Sequence, residues 1–247
     1  MWRSINFLRD IALLCQIERG SSAFVLMVGM LVAAAWQTDA AAADVQPLET
    51  VHGWGMVVDP VGDCKFDYAY GKFTIEVPGA YHDLWPDGKV NAPLVLQEVS
   101  GDFTIDVLVE EVTKAAADTV LPGMVSTSSF HSGSLVIWQD AKNFVRFDRT
   151  DMHKEGRAVN ACYLQIYQDG QRMASLAPTV PDRPTHLRLI RKGDRVTAAY
   201  SQDGAKTWTS LAEQKLTLGI NVKAGVSALN NTSHDNVVRF TDLTLRK

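Results

Sequence analysis

From residue 44 to residue 247 the chain consists of short runs of β-branched and aromatic residues, each ended by Gly, Pro, Asp or Asn. Several runs alternate apolar with polar residues, which is the period of a strand with one buried face. Helical periodicity is scarce, and no Pro- or Ser-rich linker divides the segment. Short strands at regular spacing are typical of a sandwich or barrel. We therefore predict one all-β domain over residues 44–247, an antiparallel β-sandwich of the jelly-roll type.

About a dozen strands are expected at this spacing. Turn residues that tolerate positive φ separate several of them, among them Gly71, the Asp169-Gly170 pair and Gly193. The clearest candidate strands are residues 65–68, 72–77, 102–109, 135–139, 144–148, 163–167, 187–191, 195–201, 207–211, 223–229 and 237–245.

Residues 1–43 are a different kind of sequence. An uncharged apolar run over residues 23–36 follows three arginines and precedes the alanine stretch 40–43. This order is typical of a signal peptide, and the run is shorter than the roughly 20 residues that a membrane-spanning helix needs. An uncleaved N-terminal membrane anchor is the alternative, because Asp10 and Glu18 interrupt the leading segment. Both interpretations predict an exported domain that is periplasmic, extracellular or anchored facing outward, and touches the membrane only through an uncleaved segment.

The charge and cysteine content exclude several classes of protein. With 24 Lys and Arg against 28 Asp and Glu, the net charge is -4, so nucleic acid is not an expected partner. Of the three cysteines, Cys15 lies in the leader. Cys64 and Cys162 could form a disulfide in an oxidising compartment, or they could remain two free thiols in separate strands.

One hairpin resembles a known family. The stretch Leu135 to Arg146, LVIWQDAKNFVR, is similar to a hairpin of the concanavalin A-like lectin/glucanase jelly rolls. More narrowly, it resembles the domain-of-unknown-function 1349 branch, which includes relatives of the C-terminal domain of family-43 xylosidases. Further stretches similar to that branch are 62–66, 77–79, 82–84, 91–93, 96–99, 184–189 and 201–208. The resemblance implies two curved antiparallel sheets and a protein that binds or cleaves sugars, with no catalytic residue to carry over.

The residues themselves show no catalytic motif. Glycosidases need two carboxylates facing one substrate, and the Glu-x-Asp-x-x-Glu string of glucanases with this fold is absent. Glu110 and Glu111 are adjacent in a strand and so face opposite sides of the sheet. The six histidines are scattered without zinc-binding spacing, so a zinc site would have to be assembled across loops. No G-x-S-x-G elbow is present.

No cofactor is expected, although a calcium ion is possible. Asp59, Asp63 and Asp242 could supply loop oxygens for a calcium ion, although no D-x-D-x-D-G run is present. The segment Ser201 to Trp208 is similar to the sialidase Asp-box, with its glycine one place early and in a single copy. We interpret that segment as a structural turn.

A sugar site would combine aromatic rings for stacking with planar polar side chains for hydrogen bonds. Strand alternation places Arg146 and Asp148 on one face and Val145 and Phe147 on the other. The first face is predicted to be the concave, ligand-binding one, or else a solvated surface carrying an Arg146–Asp148 ion pair. Trp54 and Tyr167 are additional stacking candidates. The predicted ligand-binding residues are Trp138, Gln139, Asn143, Arg146, Tyr163, Gln165, His82 and Trp85.

The sequence favours an exported, non-catalytic domain that binds a carbohydrate or a cell-surface glycan. One alternative is a glycan-acting hydrolase or lyase that uses His82, Asp83, Glu98 or Arg146 in a concave-face cleft. Another is a structural or protein-binding envelope domain. If the loop around Trp85 covers the concave face, the last of these is favoured.

Overall fold

The computed structural model describes residues 50–117, 121 and 128–247. Every regular element in these residues is a β-strand. The strands are β1 (Thr50–Val51), β2 (Gly55–Val58), β3 (Lys65–Ala69), β4 (Lys72–Val77), β5 (Leu94–Ser100), β6 (Phe103–Val112), β7 (Ser129–Asp140), β8 (Asn143–Lys154), β9 (Arg157–Gln168), β10 (Gln171–Leu176), β11 (Thr185–Lys192), β12 (Arg195–Ser201), β13 (Thr209–Ser210), β14 (Gln214–Lys215), β15 (Asn221–Asn230) and β16 (Asn236–Arg246).

The strands form two antiparallel sheets that pack face to face. The first sheet has the order β1-β2-β5-β15-β7-β8-β9-β10, and the second has the order β13-β12-β11-β6-β16-β4-β3, with β14 beside β12. Neighbours that are distant in sequence, such as β5 and β15, give the crossed connections of a jelly roll. The predicted all-β sandwich is confirmed. The leader and the boundary at residue 43 lie outside the described residues.

The core lies between the sheets and follows directly from strand alternation. On β8, Val145 and Phe147 are fully buried in the core, and they face β6 and β11 of the second sheet, where Ile105, Leu187 and Leu189 are also fully buried. A two-residue period sends the residues between them to the opposite face of each sheet. Arg146 and Asp148 are therefore directed away from the core on the outer face of the first sheet.

Strands β7, β8 and β9 are each twelve residues long, well beyond the predicted lengths. Their extensions carry buried polar residues such as Ser132 and Thr150, whose hydroxyls are 2.9 Å apart. Such residues hide the apolar alternation on which the sequence prediction relied. The predicted turns at Gly71, Asp169-Gly170 and Gly193 are present, each with positive φ.

Cys64 and Cys162 are free thiols in the structure. Cys162 lies on β9 within the core, while Cys64 precedes β3 of the opposite sheet. Of the two alternatives, the structure has the unbonded one. Among the described residues there is no helix of the length and apolarity needed to cross a membrane.

One close approach between β15 and β5 offers a test of this packing. A Cβ placed on Gly225 would lie 2.0 Å from the backbone oxygen of Val95, which no side-chain rotation can relieve. We expect Gly225→Ala to lower the free energy of unfolding by about 3 kcal/mol, because the two strands must separate. Gly219→Ala is the matched control, since its Cβ would meet Gln139 at an ordinary 3.5 Å. Denaturant unfolding of both variants checks this, and equal losses would contradict it.

Candidate functional site

The outer face of the first sheet is organised in rungs of three side chains across β7, β8 and β9. The pairing aligns Trp138, Phe144 and Tyr167 in one rung, followed by Val136, Arg146 and Gln165, and then Ser134, Asp148 and Tyr163. In the first rung the Phe144 ring lies 5.1 Å from Trp138 and 4.8 Å from Tyr167. The face therefore changes from aromatic to polar along the strands.

Residues 78–93, which we call the covering loop, connect β4 to β5 and lie over the aromatic end of this face. The loop is tied to β15 by two backbone hydrogen bonds between His82 and Asn230, of 2.7 and 2.9 Å. Leu84 and Ala92 of the loop are fully buried in an apolar cluster with Val136, Phe144 and residues of β5. This end of the face is closed, so it cannot accept a ligand.

A pocket remains at the polar end, beside the covering loop. Its volume is about 370 Å³, within the range of small-ligand sites. Aromatic and charged side chains both line it. The lining residues are Asp83, Trp85, Ser128, Phe130, Ser132, Arg146, Asp148, Thr150, Met152, Lys154, Tyr163, Gln165, Tyr167 and Arg172.

A buried ion triad forms the floor of the pocket. The Arg146 guanidinium pairs with Asp83 of the covering loop through Nη1, and its Nε lies 3.4 Å from Asp148 Oδ2. The three side chains are 7%, 8% and 3% exposed, respectively. The Arg146–Asp148 ion pair named in the alternative is present, but it does not lie on a solvated surface, because the covering loop removes Arg146 from water.

Asp83 is held in place by its own loop. Its carboxylate accepts hydrogen bonds from the Tyr81 hydroxyl at 3.2 Å and from the Leu84 backbone N–H at 2.7 Å, in addition to Arg146. The side chain of Asn91 bridges the two sides of the loop, accepting from the Asp83 N–H and donating to the Tyr81 carbonyl. Asp83 is thus a positioned counter-ion for Arg146.

The triad sets the charge states at the floor. Burial alone would lower the pKa of Arg146, but the Asp83 and Asp148 carboxylates outweigh it and raise that pKa. Burial raises the pKa of Asp148 from 3.8 to about 6, and the attraction of Arg146 offsets only part of this rise. Arg146 Nε and Asp148 Oδ1 have no hydrogen-bond partner among the described residues. The floor therefore keeps hydrogen-bonding capacity that the protein itself does not use.

Four of the predicted ligand-binding residues meet in this pocket, namely Trp85, Arg146, Tyr163 and Gln165. The Tyr167 hydroxyl donates to Gln165 Oε1 at 3.2 Å, which leaves the amide hydrogens on Gln165 Nε2 to face a ligand. Tyr167, named from the sequence as a further stacking candidate, also lines the pocket.

The other four predicted residues lie elsewhere. Trp138 packs under the covering loop, and Gln139 Oε1 accepts the Gly219 N–H at 2.7 Å. Asn143 stabilises the β7–β8 turn by bonding Asp140 and the Asp169 N–H. His82 belongs to the covering loop, and its buried side chain lies against Asp63. Trp54 is a core residue that packs on Phe73.

Sequence reasoning missed the continuation of the pocket along β8 and onto β10. Thr150, Met152 and Lys154 follow Arg146 and Asp148 at every second position and line the pocket. The alternation that placed Arg146 could have identified them, had the strand been recognised at full length. Arg172 pairs with Tyr167 across the β9–β10 hairpin, and no sequence pattern indicated that short edge strand.

Two other predicted features lie outside the pocket. Glu98 is exposed on β5 and pairs with Lys223 at 3.4 Å. The Asp203 carboxylate accepts from Ser201 Oγ and from both the N–H and the hydroxyl of Thr207, and these bonds lower the pKa of Asp203. The Asp-box-like segment is therefore a self-bonded turn, as expected.

No protein-family model matches the chain, and no curated protein matches it by sequence. The fold is similar to that of a functionally unknown protein from Saccharomyces cerevisiae, with 16% identity, a TM-score of 0.57, and coverage of 78% of this chain and 95% of that one. It is also similar to the GH43 protein BlXynB of Bacillus licheniformis, at 11% identity and a TM-score of 0.51. That match covers 77% of this chain and only 39% of the other.

A looser match is the carbohydrate-binding module CBM66 from Bacillus subtilis, at 11% identity and a TM-score of 0.48, covering 81% of this chain and 100% of the module. At these identities the likenesses concern the fold alone. The chain shares with these structures the fold of an antiparallel jelly-roll β-sandwich. Membership of the domain-of-unknown-function 1349 branch stays a prediction.

Asp148 makes the stability of the domain depend on pH. Between about pH 4 and pH 6 the folded protein holds a proton on Asp148 that the unfolded chain has released, because folding raises its pKa from 3.8 to about 6. The proton on Asp148 therefore stabilises the folded protein at low pH, and this stabilisation is lost as the pH rises through about 6. We expect the wild-type free energy of unfolding, relative to Asp148→Asn, to decrease over that window.

Denaturant unfolding across the pH range measures this difference. Asp87→Asn, which removes an exposed carboxylate of the covering loop, is the matched control. A wild-type minus Asp148→Asn difference that stays flat or rises with pH would show that Asp148 is ionised normally in the folded protein.

Proposed function

We propose that the chain is an exported, non-catalytic domain that binds a carbohydrate in the pocket beside the covering loop. The observation that carries this proposal is the meeting of the partly exposed rings of Trp85 and Tyr163 with Arg146 and Gln165 in one pocket. Aromatic rings stack on the apolar faces of sugars, and guanidinium and amide groups bond their hydroxyls. The order of charged, apolar and small residues in the leader supports export.

The geometry of the pocket suits a short saccharide. At about 370 Å³ it holds a small ligand rather than a second protein chain. Arg146 is fixed by two carboxylates, so little side-chain entropy is lost when it binds a ligand. The covering loop closes the apolar end of the face and leaves only the polar end for binding.

The charges at the rim favour an acidic sugar. Arg172 and Lys154 are exposed beside the pocket and have no ion-pair partner among the described residues, whereas Asp83 and Asp148 are both engaged by Arg146. Exposed cations attract a carboxylate or sulfate on a glycan, and added salt screens that attraction. We expect uronic-acid or sulfated glycans to bind more tightly than neutral ones, with a preference that shrinks at high salt.

One observation favours a second candidate, a glycan-acting hydrolase or lyase. Asp148, whose pKa is raised to about 6, lies in the same pocket as a second carboxylate, Asp83. Two carboxyls in one cleft are the arrangement of many glycan-cleaving enzymes. Because both carboxyls here flank Arg146, we place binding first. Release of new reducing ends or unsaturated products by the wild type, abolished in Asp148→Asn, would establish the enzyme instead.

A glycan array probed with the protein tests the lead proposal, followed by calorimetry on the glycans that bind. Trp85→Ala and Gln165→Ala are each expected to weaken binding at least about tenfold, since loss of about 1.4 kcal/mol corresponds to that factor. Trp208→Ala is the matched control, because it removes a tryptophan that stacks under Arg188 on the second sheet.

Thermal unfolding of each variant separates lost contacts from a lost fold. Binding that is equally weak in Trp208→Ala would place the site elsewhere. The absence of binding to any plant, algal or bacterial glycan at millimolar concentration would overturn the proposal and leave the structural or protein-binding envelope domain.

A further inference from the structure

A second cluster of chemically active side chains lies on the far side of the covering loop. Asp63, Cys64 and His82 each bring one donor atom to within 4.8 Å of the others. Asp63 and Cys64 belong to the segment between β2 and β3, and His82 belongs to the covering loop. The cluster thus joins two loops that are remote in sequence.

Both ring nitrogens of His82 lie near acceptor oxygens, and a neutral imidazole cannot donate a hydrogen bond to each of them. Its side chain is 1% exposed, its Nδ1 lies 3.2 Å from the Ala80 carbonyl oxygen, and its Nε2 lies 2.9 Å from Asp63 Oδ1. Both contacts are with acceptors, and a neutral imidazole has only one N–H to donate. With that proton on Nδ1, the Nε2 lone pair is directed toward Asp63 and Cys64. A carbonyl that orients a histidine in this way is the usual outer support of a metal ligand.

The thiol lies in a negatively charged environment. Cys64 Sγ is 3.6 Å from Asp63 Oδ1, and the Cys64 backbone N–H donates to Asp59 Oδ2 at 2.9 Å. Burial, followed by the charges of Asp59 and Asp63, raises the pKa of the Cys64 thiol well above its usual range. A cation among these groups would compensate both carboxylates and take the thiolate as a ligand, releasing the thiol proton to solvent.

We propose that Asp63, Cys64 and His82 form a binding site for a divalent transition-metal ion of the zinc class. The donor set is one carboxylate oxygen, one thiolate sulfur and one imidazole nitrogen, which zinc accepts together. Calcium and magnesium select oxygen ligands, so this set does not suit them. Asp63 is exposed and Cys64 is only partly buried, so solvent can complete the coordination. Asp59 acts as a positioning residue that fixes the Cys64 backbone.

A metal ion at this site would fasten the covering loop. His82 immediately precedes Asp83, the counter-ion of Arg146, so the site lies one residue from the pocket floor. Holding the His82 side chain to Asp63 through a metal ion would add a side-chain restraint to the backbone pairing of the same residue with Asn230. The inference does not depend on what the pocket binds, since its three ligands do not line the pocket.

The test is thermal unfolding of the full chain, purified without a polyhistidine tag and stripped of metal. The scans are run without metal, with zinc, and with calcium. Zinc at about a hundredfold excess over its Kd is expected to raise the Tm by about 5 to 10 °C, and calcium is expected to leave it unchanged. Cobalt in place of zinc is expected to give the near-ultraviolet absorption of a thiolate-to-metal charge transfer, which reports Cys64 directly.

Variants locate the site. Cys64→Ser is expected to lose the charge-transfer band and most of the zinc shift, and His82→Gln most of the zinc shift. Cys162→Ala removes the other free thiol of the described residues, and His234→Gln removes an exposed imidazole. Both variants are expected to keep the charge-transfer band and the zinc shift. The readout is the shift caused by metal in each variant, so a lower Tm without metal does not obscure it. No zinc shift in the wild type, or an equal shift in all four variants, would overturn the proposal.

Discussion

A guanidinium that is almost fully removed from water needs partners that compensate its charge, and at Arg146 the two carboxylates that do so shape the outer face of the first sheet. One partner, Asp148, lies two residues along the same strand, while the other, Asp83, comes from the covering loop. Removing Arg146 would leave two buried carboxylates without their cation, which costs several kcal/mol. The ion triad therefore fixes the loop to the sheet as well as forming the pocket floor.

The covering loop decides how much of a broad sheet face is left for a ligand. Its apolar residues Leu84 and Ala92 close the aromatic rung of Trp138, Phe144 and Tyr167. Its charged residue Asp83 reaches only the next rung, and the loop leaves the rest of the face open. One short segment thus divides a single face into a secondary core and an open pocket, by placing an apolar and a charged residue at adjacent positions.

The fold and part of the site could be predicted because they depend on local patterns. Alternation along β8 correctly directed Arg146 and Asp148 away from Val145 and Phe147. The same alternation directed Trp138 to the outer face, but whether it is covered there depends on a loop that joins other strands. The His82–Asp63 contact was equally hidden, since the two residues are nineteen positions apart in different loops. Local period carries no information about such pairings.

The rungs of β7, β8 and β9 determine which positions of this face can accept substitutions during evolution. Outward positions repeat about every 7 Å along a strand and about every 5 Å between strands, whereas intervening residues such as Leu135, Val145 and Phe147 belong to the sandwich core. Substitutions at Ser132, Thr150 or Met152 can therefore alter the surface beyond the ion triad without changing the packing between the sheets. The face is therefore a grid of outward positions that can be exchanged while the packing between the sheets stays constant, with neighbours such as Ser132 and Thr150 changing together because they are bonded to each other.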